Sequence, residues 1–116
     1  MSEQREANLK RWSELAPGEC TIRSHSIEVG ILSSTIGTSS GFHMNPELTF
    51  CDRAVLLSAL IEAIRARGWH YALTDEGDEH LAGVIPSPNP LGAGERFAAE
   101  PCDALLSAYV QALESL

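Results

Sequence analysis

Apolar side chains recur along this chain in two rhythms. In residues 2–16 (SEQREANLKRWSELA), Leu9, Trp12, Leu15 and Ala16 fall at helical spacing, while Arg5, Glu6, Lys10 and Glu14 face the other way. Ser2 is placed to cap this helix and Pro17-Gly18 to end it. A terminal helix is the part of a small domain most prone to be loose. Residues 20–32 (CTIRSHSIEVGIL) switch to period two: Ile27, Val29 and Ile31 point one way, Ser26, Glu28 and Gly30 the other. That alternation, with β-branched residues, predicts a strand. Residues 33–46 (SSTIGTSSGFHMNP) are rich in Ser, Thr and Gly and read as a loop. A loop of that length in a small domain is either functional or disordered.

The clearest pattern follows. Thr49-Phe50-Cys51-Asp52 matches a capping box, with a hydroxyl at the N-cap and an acid three residues on. Leu56, Leu57, Leu60, Ile61 and Ile64 then form an apolar stripe, and Gly68 can take the positive φ that stops a helix. The spacing predicts a helix over 50–67. Trp69, Tyr71 and Leu73 alternate with His70, Ala72 and Thr74; residues 75–79 turn the chain, and 80–86 (HLAGVIP) return as a second strand. Residues 86–94 (PSPNPLGAG) carry too much Pro and Gly for a central strand and read as a loop, followed by a short strand over 95–99. Pro101 suits the first position of a last helix, Asp103 its first turn, and Leu105, Leu106, Tyr109, Val110 and Leu113 its buried stripe.

This order predicts an α+β fold: amphipathic helices packed on a small, mainly antiparallel sheet, an α/β sandwich. The sheet surface offered to the helices is Trp69, Tyr71, Leu73, Leu81 and Val84. With 116 residues the chain suffices for one core. The expected organisation is an N-terminal helix over 1–19 and a single α+β domain over 20–116.

Charge narrows the partners. Sixteen acids face eight bases, for a formal charge of −8, and Lys10 is the only lysine. Such a surface repels phosphate backbones, so neither direct nucleic-acid binding nor an anionic membrane is expected. No apolar run is long enough to span a bilayer, and Met1 to Arg11 is too polar for a secretory leader, so a cytoplasmic location is expected. The acidity serves solubility, or it docks the protein on a basic partner. It is densest at Asp75, Glu76, Asp78 and Glu79 around Gly77, where the ligand spacing of a calcium loop is missing. No cofactor is expected.

Cys20, Cys51 and Cys102 are an odd, widely spaced set, which reads as reduced thiols. Four histidines accompany them, His25, His43, His70 and His80, without metal-ligand spacing. His70 and His80 flank the hairpin turn, so the predicted pairing makes them potential neighbours. Cys51 falls in the first turn of the central helix, where the macrodipole lowers a thiol pKa. With His43 or His70 it is the combination that would make a zinc- or thiol-dependent enzyme, the alternative reading; a position beside Phe50 at the start of an apolar stripe is more often plain packing. Ser33, Ser34, Ser39 and Ser40 are expected to form no nucleophile elbow, and Gly92-Ala93-Gly94 lacks the rest of a dinucleotide fingerprint.

From Asn45 onward the chain shows Pro46-Glu47-Leu48-Thr49 leading into a helix, then Arg67-Gly68-Trp69-His70, an aromatic strand, an acidic turn and a second strand. Phe97-Ala98-Ala99 then runs into Asp103-Ala104-Leu105-Leu106. This block resembles the small bacteriophage-encoded proteins of the phage ABA-sandwich domain family; residues 17–44 have no counterpart in it. The resemblance implies helices covering a sheet and a phage or prophage origin, with no established activity to transfer. Together with the charge it leads to an expected function: a non-enzymatic acidic protein-binding module, an anti-CRISPR-like or nucleic-acid-mimicking inhibitor of a host defence or nucleic-acid-handling complex. The expected partner is a basic host protein or nucleoprotein complex. The expected contact residues are Asp75, Glu76, Asp78, Glu79, His70 and His80, with loops 33–46, 75–79 and 86–94 as candidate surface. A self-associating homodimer of structural role is a further alternative.

Overall fold

A computed structural model describes residues 3–23, 26–33, 38–44, 50–87 and 94–116. The chain runs α1 (Glu3–Leu15), β1 (Cys20–Arg23), β2 (Ser26–Ser33), β3 (Thr38–Met44), α2 (Phe50–Ala66), β4 (His70–Asp75), β5 (His80–Ile85), β6 (Gly94–Ala98) and α3 (Pro101–Glu114). The fold is α+β. The strands form two antiparallel three-stranded sheets, ordered β1-β2-β3 and β4-β5-β6.

Helix α3 lies at the centre. Its sequence is apolar nearly all round, and Cys102, Ala104, Leu105, Leu106, Ala108, Tyr109, Val110, Ala112 and Leu113 are all buried. A helix of that composition needs partners on more than one side. One side covers β5 and β6; α1 and α2 pack on others. Helix α2 buries Leu56, Leu60 and Ile64 completely, mainly against α3 and β2. The helices therefore stand between the two sheets. Each fully buried Leu or Ile contributes roughly 1.5–3 kcal/mol, so this shared interior dominates stability.

The helix ends follow local chemistry. At the C-terminus of α2, Trp69 N–H donates to the Ile64 carbonyl (3.1 Å) and Gly68 N–H to that of Arg65 (2.9 Å), with Gly68 at φ +74°. This Schellman motif needs a residue free to be left-handed. Helix α3 begins with Pro101 after Glu100, whose carbonyl accepts the Ala104 N–H (3.1 Å). Arg5 of α1 reaches its first turn through a two-point pair with Asp103, Nε–Oδ1 and Nη2–Oδ2 both 2.6 Å.

Three expectations are corrected. The single strand expected over 20–32 is two antiparallel strands, with Ile22 opposite Ile27 and Arg23 opposite Ser26. The polar stretch around Ser26 interrupts the apolar alternation where the chain reverses. The loop expected over 33–46 contains β3, which pairs with β2 from Ile27–Met44 to Ser33–Thr38. Its sequence, TSSGFHM, has no strand rhythm; the open edge of β2 organises it, as context often decides for strands. The N-terminal helix is packed rather than loose: Leu9 and Trp12 are buried in the common core and α1 lies on α3 and β1.

A finer correction concerns the second sheet. Leu81 pairs with Thr74, and Val84 with Tyr71. Side chains alternate across a strand, so Leu81 and Val84 face opposite ways. Ala82 and Val84 line the buried face with Tyr71 and Leu73, while Leu81 belongs to the outer face. The expected cap Thr49 and most of loop 86–94 lie outside the described residues, as do the side chains of Cys51, Asp52 and His43.

Candidate functional site

Strands β4 and β5 close on Asp75 opposite His80, leaving residues 76–79 as the turn. Glu76 N–H donates to the Glu79 carbonyl (2.9 Å), and Gly77 N–H donates to Asp75 Oδ1 (2.8 Å). Gly77 sits at φ +95°, a conformation that a side chain disfavours. Asp75, Glu76, Asp78 and Glu79 are all exposed, and none is ion-paired with a described residue. The turn thus presents four carboxylates on a hydrogen-bonded frame.

The two hairpin histidines are not brought together. His80 stands at the turn opposite Asp75, whereas His70 stands at the open end opposite Ile85. Five residue steps of extended chain separate the two ends, about 17 Å at ~3.4 Å per residue. The histidines also fall on opposite faces by register. His70 instead lines an open depression of about 530 Å³ with Arg65 and Tyr71, where the Arg65 guanidinium lies 6.0 Å from the Tyr71 ring centroid. Among the described residues there is no group of three or more His, Cys, Asp or Glu arranged to hold a metal.

The described cysteines are unlike nucleophiles. Cys20 and Cys102 are free and buried. Burial, and to a lesser degree the carboxylate of Glu19, pushes the Cys20 thiol up to about 12. Burial, followed by Asp103, pushes Cys102 up to about 11. A reactive thiol needs the opposite shift. Ser39 lies outside any nucleophile elbow. Gly37-Thr38-Ser39-Ser40-Gly41 does spell G-x-S-x-G, but that motif acts only where the serine caps a sharp strand-to-helix turn. Ser39 sits within the β3 ladder, opposite Leu32.

One polar cluster escapes the sequence reading altogether. Trp12 Nε1–H (3.0 Å) and the Tyr109 hydroxyl (2.6 Å) both donate to Glu19 Oε1. Arg67 Nε–H donates to the Tyr109 oxygen (2.8 Å) and lies 3.3 Å from Glu19 Oε2. Trp12 and Trp69 stand edge-on to the Tyr109 ring, with centroids 6.0 and 6.1 Å away. Burial and then the Glu19 carboxylate hold the Tyr109 hydroxyl protonated well above its ordinary range. Burial opposes the Arg67 charge, yet Tyr109 and Glu19 outweigh it and raise the guanidinium pKa. None of the cluster's buried polar side-chain atoms lacks a partner, so it acts as a clip joining α1, the segment before β1, the end of α2, and α3. Its members are far apart in sequence, and only Trp12, Trp69 and Tyr109 signal themselves, as core aromatics.

Compared with known proteins, the chain matches no family model, no curated protein and no solved structure. No helix among the described residues is long and apolar enough to cross a membrane.

Proposed function

We propose that this chain is a non-enzymatic, acidic protein-binding module of phage type that inhibits a host defence or nucleic-acid-handling complex. Its partner is a basic host protein or nucleoprotein surface, and the carboxylates of Asp75, Glu76, Asp78 and Glu79 stand where that surface would otherwise meet phosphates. The observation that carries this reading is the exposed, ordered turn of four carboxylates on a chain of net charge −8. Opposite potentials speed encounter and reject acidic competitors. A turn held by its own hydrogen bonds lowers the backbone-ordering cost of presenting its charges on binding.

The test replaces the four residues with Asn and Gln and measures capture of basic host proteins from a bacterial lysate on immobilised protein. Wild-type capture should fall as salt rises, and the neutralised variant should lose most of it even at low salt. Capture unchanged by neutralisation rules the turn out as the contact.

A further inference from the structure

The outer face of the β4–β6 sheet is shaped by the same alternation that buries Ala82 and Val84. Register places Ala72, Gly83 and Glu95 in one row across the strands. The next row toward the turn is Thr74, Leu81 and Phe97, and the row on the other side contains His70 and Ile85. Ala72 and Gly83 of the middle row are small and the neighbouring rows are bulky, so the face is a valley between two ridges, with Glu95 at its β6 end. Its open volume is about 400 Å³, and Phe97 and Ile85 on its ridges are 58% and 46% exposed. Leu81 and Ile85 are four residues apart on one strand, which sets the ridges about 14 Å apart at ~3.4 Å per residue. An α-helix with its side chains is about 10–12 Å across. Among the described residues, Glu95 is the one carboxylate in these rows, and the turn of Asp75, Glu76, Asp78 and Glu79 lies just past the Leu81 ridge.

From this we infer that the valley receives one amphipathic helix of a partner polypeptide, apolar toward Gly83 and carrying Lys or Arg on the flank toward the turn. The inference deepens the acidic-turn reading and rests on it. Charge complementarity selects this occupant: both the turn and Glu95 are negative, so a bound helix needs positive residues along its edge. A second copy of this chain brings another net −8, and its own α2 and α3 stripes are already buried in its core.

The test uses two labelled synthetic helical peptides of about 18 residues, ~27 Å of helix, with one leucine stripe. One carries Lys on the polar face and the other Glu. By fluorescence anisotropy with the full chain, the Lys peptide should bind saturably and the Glu peptide at least about tenfold more weakly. Gly83→Val fills the valley on a strand that tolerates it: a Cβ there would meet only the Gly94 carbonyl oxygen, at 3.6 Å. It should weaken the Lys peptide at least about tenfold with the melting temperature unchanged, and Phe97→Ser, at an exposed ridge position, should do the same. Undiminished binding by both variants overturns the inference. So does equal binding of the Glu peptide, or a concentration-dependent dimer that Gly83→Val abolishes. Binding lost on neutralising the turn but kept in Gly83→Val overturns the valley and leaves the acidic-turn reading standing. The reverse pattern overturns the acidic-turn reading and, with it, the basic flank.

Discussion

Single residues in this protein act through burial more than through charge. The Tyr109 hydroxyl both donates to Glu19 and accepts from Arg67. Tyr109→Phe removes that oxygen and keeps the ring, so the expected loss is about 1–3 kcal/mol, read by urea unfolding. A loss near zero would mean that water replaces the hydroxyl. Gln111 offers the opposite case: its buried Oε1 has no hydrogen-bond partner, and the amide lies against Gly94. Gln111→Met should therefore stabilise the chain by about 1 kcal/mol in the same assay. The buried thiols set an alkaline limit. Their folded pKa values are raised, to about 11 for Cys102 and about 12 for Cys20, from an ordinary value of 9.0. The folded state holds these protons more tightly, so their contribution is complete below about pH 9. It is lost as pH climbs through 11 and 12. Urea midpoints should fall steadily above pH 9. In a Cys51→Ser background, a thiol reagent at pH 8 should react only after unfolding.

The elements differ in how plainly the sequence announces them. Helices α2 and α3 and the β4–β5 hairpin are legible because each carries its own rhythm and punctuation: a stripe ending at Gly68, alternation turning at Gly77, a proline at the start of α3. Gly68→Ala tests that punctuation, since nothing crowds the position and only the left-handed backbone resists a side chain. The expected cost is about 1–2 kcal/mol in urea unfolding. Strand β3 is illegible because its residues satisfy the edge of β2 with backbone groups, which any sequence carries. The role of α1 is underestimated for a related reason. Its stripe is short, and only α3 shows where Leu9 and Trp12 go. Trp12→Ala should cost about 3–5 kcal/mol, a large share of the ~5–15 kcal/mol that holds a domain of this kind together; a loose helix would show almost none. At the candidate site, the acidic residues could be read directly because turns expose what they carry. The His70–His80 pair failed because flanking a turn in sequence does not fix position along the strands. The valley went unseen because it depends on which of Leu81 and Val84 faces outward, a register that only pairing with β4 settles.

At the scale of the whole molecule, the two sheets do different work. The β1–β3 sheet closes the side of the core reached by α1 and α2, burying Cys20, Ile27 and Val29. The β4–β6 sheet gives one face to α3 and leaves the other face, with its charged turn, toward solvent. An acidic chain with a largely apolar valley, edged by Glu95, beside its densest acidity is built to choose a partner by two criteria at once, apolar fit and opposite charge. The most direct measurement is the pattern of backbone amide shifts as the Lys helix is titrated into the full chain. Saturable shifts are expected to centre on Ala72–Asp75, the turn through Glu79, Leu81–Ile85 and Phe97, with α1 and β1 nearly silent. Shifts centred on α1, β1 or β2, or none that saturate, would contradict that expectation.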